Sequence, residues 1–145
     1  MTTLWGLVVV ALALLAWGGQ VISWLAPDTA VRLSLMESKD SVEPSFYADV
    51  RGEAMWDSLT LWTMVVAGVL LLIDSSWWTY FGLVGGGMFV YFAGRGIASR
   101  RAIQQAGFSV GAAKTVAQAY VFLGLWGATG LITVIAAINS LRAGG

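Results

Sequence analysis

Four long apolar runs dominate the chain, and polar segments of very different length separate them. The runs cover about residues 4–26, 55–73, 77–97 and 117–138. A helix needs roughly 20 predominantly apolar residues to cross the ~30 Å hydrocarbon core of a bilayer. The pattern therefore predicts an all-α integral membrane protein, with four transmembrane helices in an antiparallel bundle and a single membrane domain over residues 1–145.

The third run gives the clearest signal of a membrane span. It opens on Trp77 and Trp78, continues through three consecutive glycines, and is followed by Arg100 and Arg101. Tryptophans are typical of the membrane–water interface, and arginines of the cytoplasmic end of a span. The first run lacks the positively charged start of a signal peptide and is too long for one, so it predicts a retained helix.

The segment 27–54 is the only long polar stretch, and it holds six of the eight acidic residues. A connection of this length in a small protein is usually functional, disordered or structured on its own. Glu43-Pro44 suits a helix start, because proline is tolerated at the first helical position. We expect a short interfacial helix there that leads into the second span.

Basic residues are unevenly distributed between the two predicted faces. An even number of spans places both termini on one side, where Arg142 is the only basic side chain. The longer loops, 27–54 and 98–116, hold Arg32, Lys39, Arg51, Arg100, Arg101 and Lys114. The positive-inside rule then predicts a bacterial inner membrane protein with these loops in the cytoplasm and both termini outside. The two loops either pack together or are solvated separately.

Composition supports the membrane assignment and excludes several functions. The chain is 58% hydrophobic and only 11% charged, whereas soluble domains are roughly 25% charged. Net charge is zero, so nothing points to nucleic acid as a partner. Histidine and cysteine are both absent, which excludes His- or Cys-ligated haem, zinc and Fe–S clusters, disulfides and a Ser-His-Asp triad. We predict no metal site and no catalytic residues.

A cluster of buried polar residues is predicted near the cytoplasmic face. The second and third spans should form a hairpin centred near residues 75–76, which places Asp57 and Arg95 at equal depth. An unpaired charge inside a membrane is costly, so we predict that these two residues pair. The full predicted cluster is Asp57, Arg95, Gln20, Glu53, Arg100 and Gln118. It is either a binding or proton-handling site or a structural clamp between helices.

Three of the eight tryptophans lie within the spans rather than at their ends: Trp17, Trp62 and Trp126. If their side chains converge, they would line an apolar pocket for a lipid tail, quinone or pigment. If they point outward, they contact lipid or a neighbouring subunit.

Small residues are spaced for close helix packing. Gly82 and Gly86 form a GxxxG pattern on the third span, and Gly124 and Ala128 form a similar pattern on the fourth. Small residues allow helix backbones to approach closely in lipid. They predict either packing of the third span on the fourth or association with another protein.

Three functions remain open from the sequence. The first is a non-catalytic subunit of a membrane complex or homo-oligomer, whose partners are lipids and other membrane subunits. The second is a small oligomeric transporter or channel that uses Asp57, Arg95, Gln20 and Glu53. The third is a lipid-modifying enzyme that uses the loop carboxylates Glu37, Asp40 and Glu43.

Overall fold

A computed structural model describes residues 2–144, and Met1 and Gly145 lie outside the described residues. All regular secondary structure in the described residues is helical. Its elements are α1 (Thr2–Leu25), α2 (Pro27–Arg32), α3 (Pro44–Thr60), α4 (Trp62–Leu72), α5 (Trp78–Gln105) and α6 (Ala113–Gly144).

Four segments are long and apolar enough to cross a membrane: Thr3–Leu25, Pro44–Leu72, Trp78–Gln105 and Ala113–Ala143. Large apolar side chains project from the helices, and Leu4 and Val121 are each 70% exposed. Apolar surface of this kind is suited to lipid rather than water. The predicted all-helical chain with four membrane-spanning candidates is confirmed.

The second span is longer than its apolar run. Its helix starts at Pro44, with Glu43 as the N-cap residue, so the predicted interfacial helix is continuous with the span. Leu61, which is fully buried, lies between α3 and α4 in a turn, although its own dihedral angles are still those of a right-handed helix. The hydroxyls of Ser58 and Thr60 donate hydrogen bonds to carbonyls one turn earlier, at 2.6 and 3.0 Å. Such bonds compete with the helical ladder and commonly bend a helix.

A tight turn joins α4 to α5. Asp74 adopts a left-handed φ of 55°. The backbone N–H of Ser75 donates to the carbonyl of Leu70 at 3.0 Å. This is the hydrogen-bond pattern of a Schellman motif, which ends a helix and satisfies its last carbonyls.

Glycines set how closely the helices pack. The most extensive interface joins α5 to α6. A Cβ added at Gly86 would lie 2.8 Å from the carbonyl oxygen of Gly130, and one added at Gly130 would lie 2.7 Å from that of Gly86. On the other side of the bundle, a Cβ added to Gly68 of α4 would lie 2.7 Å from Val10 Cγ2 of α1. Each interface therefore depends on the missing side chain.

The two longer loops pack together, mainly through apolar contacts. Phe46 and Val110 belong to a buried cluster that joins the start of α3 to the loop after α5. The N–H of Glu43 donates to the carbonyl of Ser109 at 3.0 Å, and the Ser109 hydroxyl donates to the carbonyl of Ser41 at 3.2 Å. These contacts place the polar loop residues over one end of the helices.

Candidate ligand-binding site

A cavity of about 430 Å³ lies between α1 and α6. Its walls come from α1, α3, α5 and α6, and residues 33–37 with Val110 close the end beneath the loops. The space exists because α1 and α6 make few contacts with each other, although each packs closely on another helix. Its volume is within the range of about 300–1,000 Å³ that is typical of small-molecule sites.

The walls are apolar towards the middle of the bundle. Trp126 stacks on Phe122 and lies against Phe92, with ring centroids 5.5 and 5.6 Å apart. Its indole N–H crosses to α1 and donates to the carbonyl of Leu12 at 3.1 Å. Leu15 and Phe122 line the cavity and are 63% and 46% exposed, so the cavity is open sideways between the two helices.

Polar side chains line the end of the cavity nearest the loops. Four residues of the predicted polar cluster are among them, namely Gln20, Glu53, Arg100 and Gln118. Glu37, from the loop before α3, lines the same end. The cavity therefore presents a polar end and an apolar body, which matches an amphiphilic molecule.

The guanidinium group of Arg100 contacts a backbone carbonyl and an aromatic ring at this end. Its Nη1 donates to the carbonyl of Gly96 at 3.0 Å, and its Cζ lies 5.5 Å from the ring centroid of Phe46. In the described part of the chain, salt bridges are formed by Arg95 and not by Arg100. Arg100 therefore has donor groups free to bind an anion.

The carboxylate of Glu37 is fixed by a glycine in the opposite loop. It packs over Gly111, where an added Cβ would collide with its Oε1 and Cδ atoms. Gly111 also has a φ of 117°, a conformation that disfavours other residues. Oε1 of Glu37 is buried and accepts no hydrogen bond from any described residue. A buried acceptor of this kind needs a donor.

The predicted direct pair between Asp57 and Arg95 does not form. Arg95 binds Asp49 Oδ1 at 2.6 Å and Glu53 Oε1 at 2.8 Å. Ser99 donates a further hydrogen bond to Asp49 at 3.1 Å. Depth matching from the α4–α5 turn missed this arrangement because α3 continues back to Pro44, which brings two earlier carboxylates within reach of Arg95.

Asp57 is nevertheless close to this network. It is 3% exposed, and its Oδ2 is buried without a hydrogen-bond partner among the described residues. It lines a shallow depression together with Gly52, Glu53, Trp56, Tyr91 and Arg95. Three carboxylic side chains, those of Asp49, Glu53 and Asp57, thus lie around the Arg95 guanidinium between α3 and α5.

The three tryptophans within the spans do not converge. Trp126 lines the cavity, whereas Trp17 packs in the core and donates to the carbonyl of Ser58 at 2.9 Å. Trp62 is 42% exposed, and its N–H donates to the carbonyl of Leu59, at the end of α3, at 2.9 Å. An apolar pocket is present, but only one of the three contributes to it.

The two small-residue patterns also lie in different places. Gly82 and Gly86 of α5 face α6, as intramolecular packing requires. Gly124 and Ala128 are exposed, and a Cβ added to Gly124 would meet no described atom within 4 Å. The α6 side of the interface is instead built around Gly130, which lies on a different face of the helix.

Sequence reasoning missed the contribution of the loops to the cavity. The sequence predicts Glu37 only as a loop carboxylate, and it gives no reason to place Asp49 or Phe46 at the site. A signal existed in Gly107 and Gly111, both of which adopt positive φ in a short loop and so indicate a fixed conformation. The fold of the polar segment over the helices could not be read from spacing.

The arrangement can hold a molecule with an apolar chain and a small polar group, and it offers an arginine and a glutamate to that group. Among the described residues, no group of three or more Asp and Glu side chains is placed to hold a metal ion. None of the protein-family models, curated proteins or solved structures with which the chain was compared matches it.

Proposed function

We propose that the chain is a non-catalytic integral membrane protein that holds one membrane amphiphile in the cavity between α1 and α6. The observation that carries this proposal is the polarity gradient of the cavity. Phe92, Phe122 and Trp126 surround one end, whereas Glu37 and Arg100 line the other. A lipid in a bilayer has the same gradient along its length.

The dimensions of the cavity support a lipid chain. Its lining on α6 runs from Thr115 to Trp126, which is roughly 16 Å at 1.5 Å per residue. Half of a hydrocarbon core is about 15 Å thick. A chain within one leaflet would therefore fill the cavity, while a second chain would leave through the opening beside Leu15 and Phe122.

We further propose an antiparallel bundle in a bacterial inner membrane, with the loops in the cytoplasm and both termini outside. The short α4–α5 turn supports the antiparallel arrangement, and the basic loops support the orientation. The polar end of the cavity would then lie at the cytoplasmic leaflet.

Cysteine accessibility tests this orientation. A cysteine at Lys39→Cys should be labelled only after the membrane is permeabilised, whereas one at Ser75→Cys should be labelled without permeabilisation. The opposite pattern would reverse the orientation.

Two adjacent glycines on α1 provide a matched test of the bound amphiphile. Gly19 lines the cavity and Gly18 does not, and an added Cβ at either position meets no described atom within 4 Å. Gly19→Phe should fill the cavity, whereas Gly18→Phe adds the same side chain outside it. Native mass spectrometry of protein purified in mild detergent should show bound lipid in the wild type and in Gly18→Phe.

We expect Gly19→Phe to lose most of this lipid, by roughly tenfold in occupancy. Equal retention by both variants would place the lipid elsewhere and contradict the proposal. Wild-type protein that carries no amphiphile from its native membrane would also contradict it. Circular dichroism should be the same for both variants, which separates occupancy from folding.

The chain would hold this lipid as a subunit of a membrane complex or as a homo-oligomer. The exposed pattern of Gly124 and Ala128 supports association, since it lies on a face of α6 that its own α5 does not use. Light scattering in mild detergent should report a particle larger than one chain, and Gly124→Leu should reduce its size. A wild-type monomer without partners would count against association.

A second candidate function is transport of protons or small cations. The observation that favours it is Asp57, a buried carboxylate with an unpartnered oxygen beside the Asp49–Arg95–Glu53 network. Intramembrane ionisable residues commonly mark ion pathways. Liposomes containing the wild type should show proton or sodium flux that Asp57→Asn abolishes, and flux unchanged by that substitution would exclude this role for Asp57.

A further inference from the structure

Two opposite charges at the polar end of the cavity form no salt bridge with any described residue. Glu53 also lines this end, and it forms an ion pair with Arg95 at 2.8 Å. Glu37 and Arg100 remain, and neither forms a salt bridge within the described residues. One carboxylate and one guanidinium in the same cavity specify the charges that a ligand should carry.

Arg100 requires the ligand to carry an anionic group. Its planar guanidinium can donate two parallel hydrogen bonds to a phosphate, and such charge-assisted bonds are roughly twice as strong as neutral ones. Phe46 covers one side of the guanidinium at 5.5 Å, and the bond to the Gly96 carbonyl occupies one nitrogen. These two contacts orient the group and leave its other nitrogens as donors.

Glu37 requires the ligand to carry a hydrogen-bond donor with a positive charge. Its Oε1 is buried and accepts no hydrogen bond from a described residue, and Gly111 holds the carboxylate in place from the opposite loop. A primary ammonium has three N–H donors and a full positive charge, so it satisfies both the hydrogen bond and the charge. A quaternary ammonium has no N–H donor. Phe46 is not free to bind it by cation–π contact because Arg100 occupies that ring.

We infer that the cavity is selective for a zwitterionic phospholipid whose headgroup carries a primary amine, as in phosphatidylethanolamine. The phosphate is bound by Arg100, the ammonium by Glu37, and one acyl chain by the apolar walls near Trp126. This inference rests on the proposed function, because it specifies which amphiphile the cavity holds. It adds a headgroup preference that the apolar walls alone would not create.

The test is a competition among lipids with identical acyl chains. Delipidated wild-type protein is mixed with equal amounts of phosphatidylethanolamine, phosphatidylcholine and phosphatidylglycerol, and bound species are counted by native mass spectrometry. We expect phosphatidylethanolamine to exceed phosphatidylcholine by at least about tenfold, which corresponds to about 1.4 kcal/mol, because only the primary ammonium can donate a hydrogen bond to the Glu37 carboxylate. It should exceed phosphatidylglycerol because Glu37 repels an anionic lipid that lacks an ammonium.

Matched variants assign the preference to the two residues. Glu37→Met should reduce the ratio of phosphatidylethanolamine to phosphatidylcholine to about 1, because the methionine side chain has a similar length but no charge, and its sulfur is only a weak acceptor. Glu43→Met, which changes a loop glutamate outside the cavity, should leave the ratio unchanged.

Arg100→Met should lower the retention of all three phospholipids by roughly tenfold, whereas the neighbouring exposed Arg101→Met should not. Arg100→Lys should restore part of the retention, because it keeps the charge but not the fork of donors. If Arg100→Met does not fold, the wild-type ratio and the Glu37 variant decide the question.

The outcomes distinguish the two proposals. Equal binding of phosphatidylethanolamine and phosphatidylcholine, with loss of both in Gly19→Phe, would overturn the headgroup inference and leave the lipid-binding function intact. Preference for phosphatidylglycerol, or a quinone or pigment as the molecule retained from native membranes, would also overturn it. Absence of any lipid sensitive to Gly19→Phe would overturn both.

Discussion

Helix α6 packs closely on α5 on one side but stands apart from α1 on the other. Where α6 meets α5, Gly86 and Gly130 bring the backbones so close that an added Cβ would lie under 3 Å from a carbonyl oxygen. Where α6 passes α1, bulky side chains such as Trp126 and Phe122 keep the helices apart and the cavity forms. In lipid, close packing needs small residues, and a pocket needs large residues that brace its walls. The chain uses both within one bundle.

Trp126 links α1 and α6 across the cavity that separates them. Its ring forms a wall of the cavity, and its N–H binds the Leu12 carbonyl on α1 at 3.1 Å. This hydrogen bond joins α1 to α6, whose backbones are otherwise separated by the cavity. The bundle is therefore rigid on its α5 side and braced on its α1 side, so substitutions on the two sides should have different consequences.

The largest effect is expected where the backbones touch. Gly86→Leu would place a side chain against Gly130 and Val134, so α5 and α6 must separate. We expect a loss of roughly 3 kcal/mol in the free energy of unfolding, because overpacking against backbone cannot be relieved by a side-chain rotation. Unfolding by SDS in mixed micelles measures it. The control is Gly87→Leu, where an added Cβ meets no described atom within 4 Å; equal losses in both would contradict a tight interface.

A smaller effect is expected from the ionic link between α3 and α5. Arg95→Gln leaves Asp49 and Glu53 without their cation, which should cost about 2 kcal/mol because the group is partly buried. Asp57→Arg combined with Arg95→Asp should not restore this stability, since Arg95 binds the two earlier carboxylates. Recovery of wild-type unfolding by that double variant would show that Asp57 is the true partner.

Trp126→Phe should have a more modest effect on the open side. It keeps an aromatic wall but removes the hydrogen bond to Leu12, so we expect a loss of about 1 kcal/mol. Because this bond links α1 to α6, hydrogen exchange should increase in α1 near Leu12 and not in α5. Uniform exchange throughout the bundle would indicate that the bond is not a brace.

The smallest effect on stability is expected within the cavity itself. Gly19→Phe fills existing space, so the free energy of unfolding of lipid-free protein should change by less than about 1 kcal/mol. The same substitution should remove the stabilisation that added lipid gives to the wild type. A large loss of stability without lipid would mean that the cavity is too small for the added ring.

The sequence predicted the features that depend on local composition. Four apolar runs predicted four helices, and Gly82 and Gly86 predicted close packing of α5 either on α6 or on another protein. Each of these depends on residues close together in the chain. The physical cause is direct, because hydropathy and backbone freedom are properties of single residues and their neighbours.

The site could be predicted only in part, because it depends on rotation about helix axes and on a loop fold. Gln20, Glu53, Arg100 and Gln118 line one cavity, whereas Asp57 and Arg95 do not. Depth does not fix azimuth, however, and a helix places neighbouring residues about 100° apart. The partners of Arg95 and the outward direction of Gly124 therefore could not be predicted from the sequence pattern. The position of Glu37 could not be predicted either, because it depends on Gly111, more than 70 residues later in the chain.

The central claim is that the space between α1 and α6 is a lipid site. The most direct measurement is a crystal structure grown from a lipidic mesophase doped with phosphatidylethanolamine brominated on one acyl chain. We expect anomalous bromine peaks inside the cavity, between Leu15 and Phe122, with headgroup density between Glu37 and Arg100. A cavity without bromine, or α1 closed against α6 so that no cavity remains, would contradict the account.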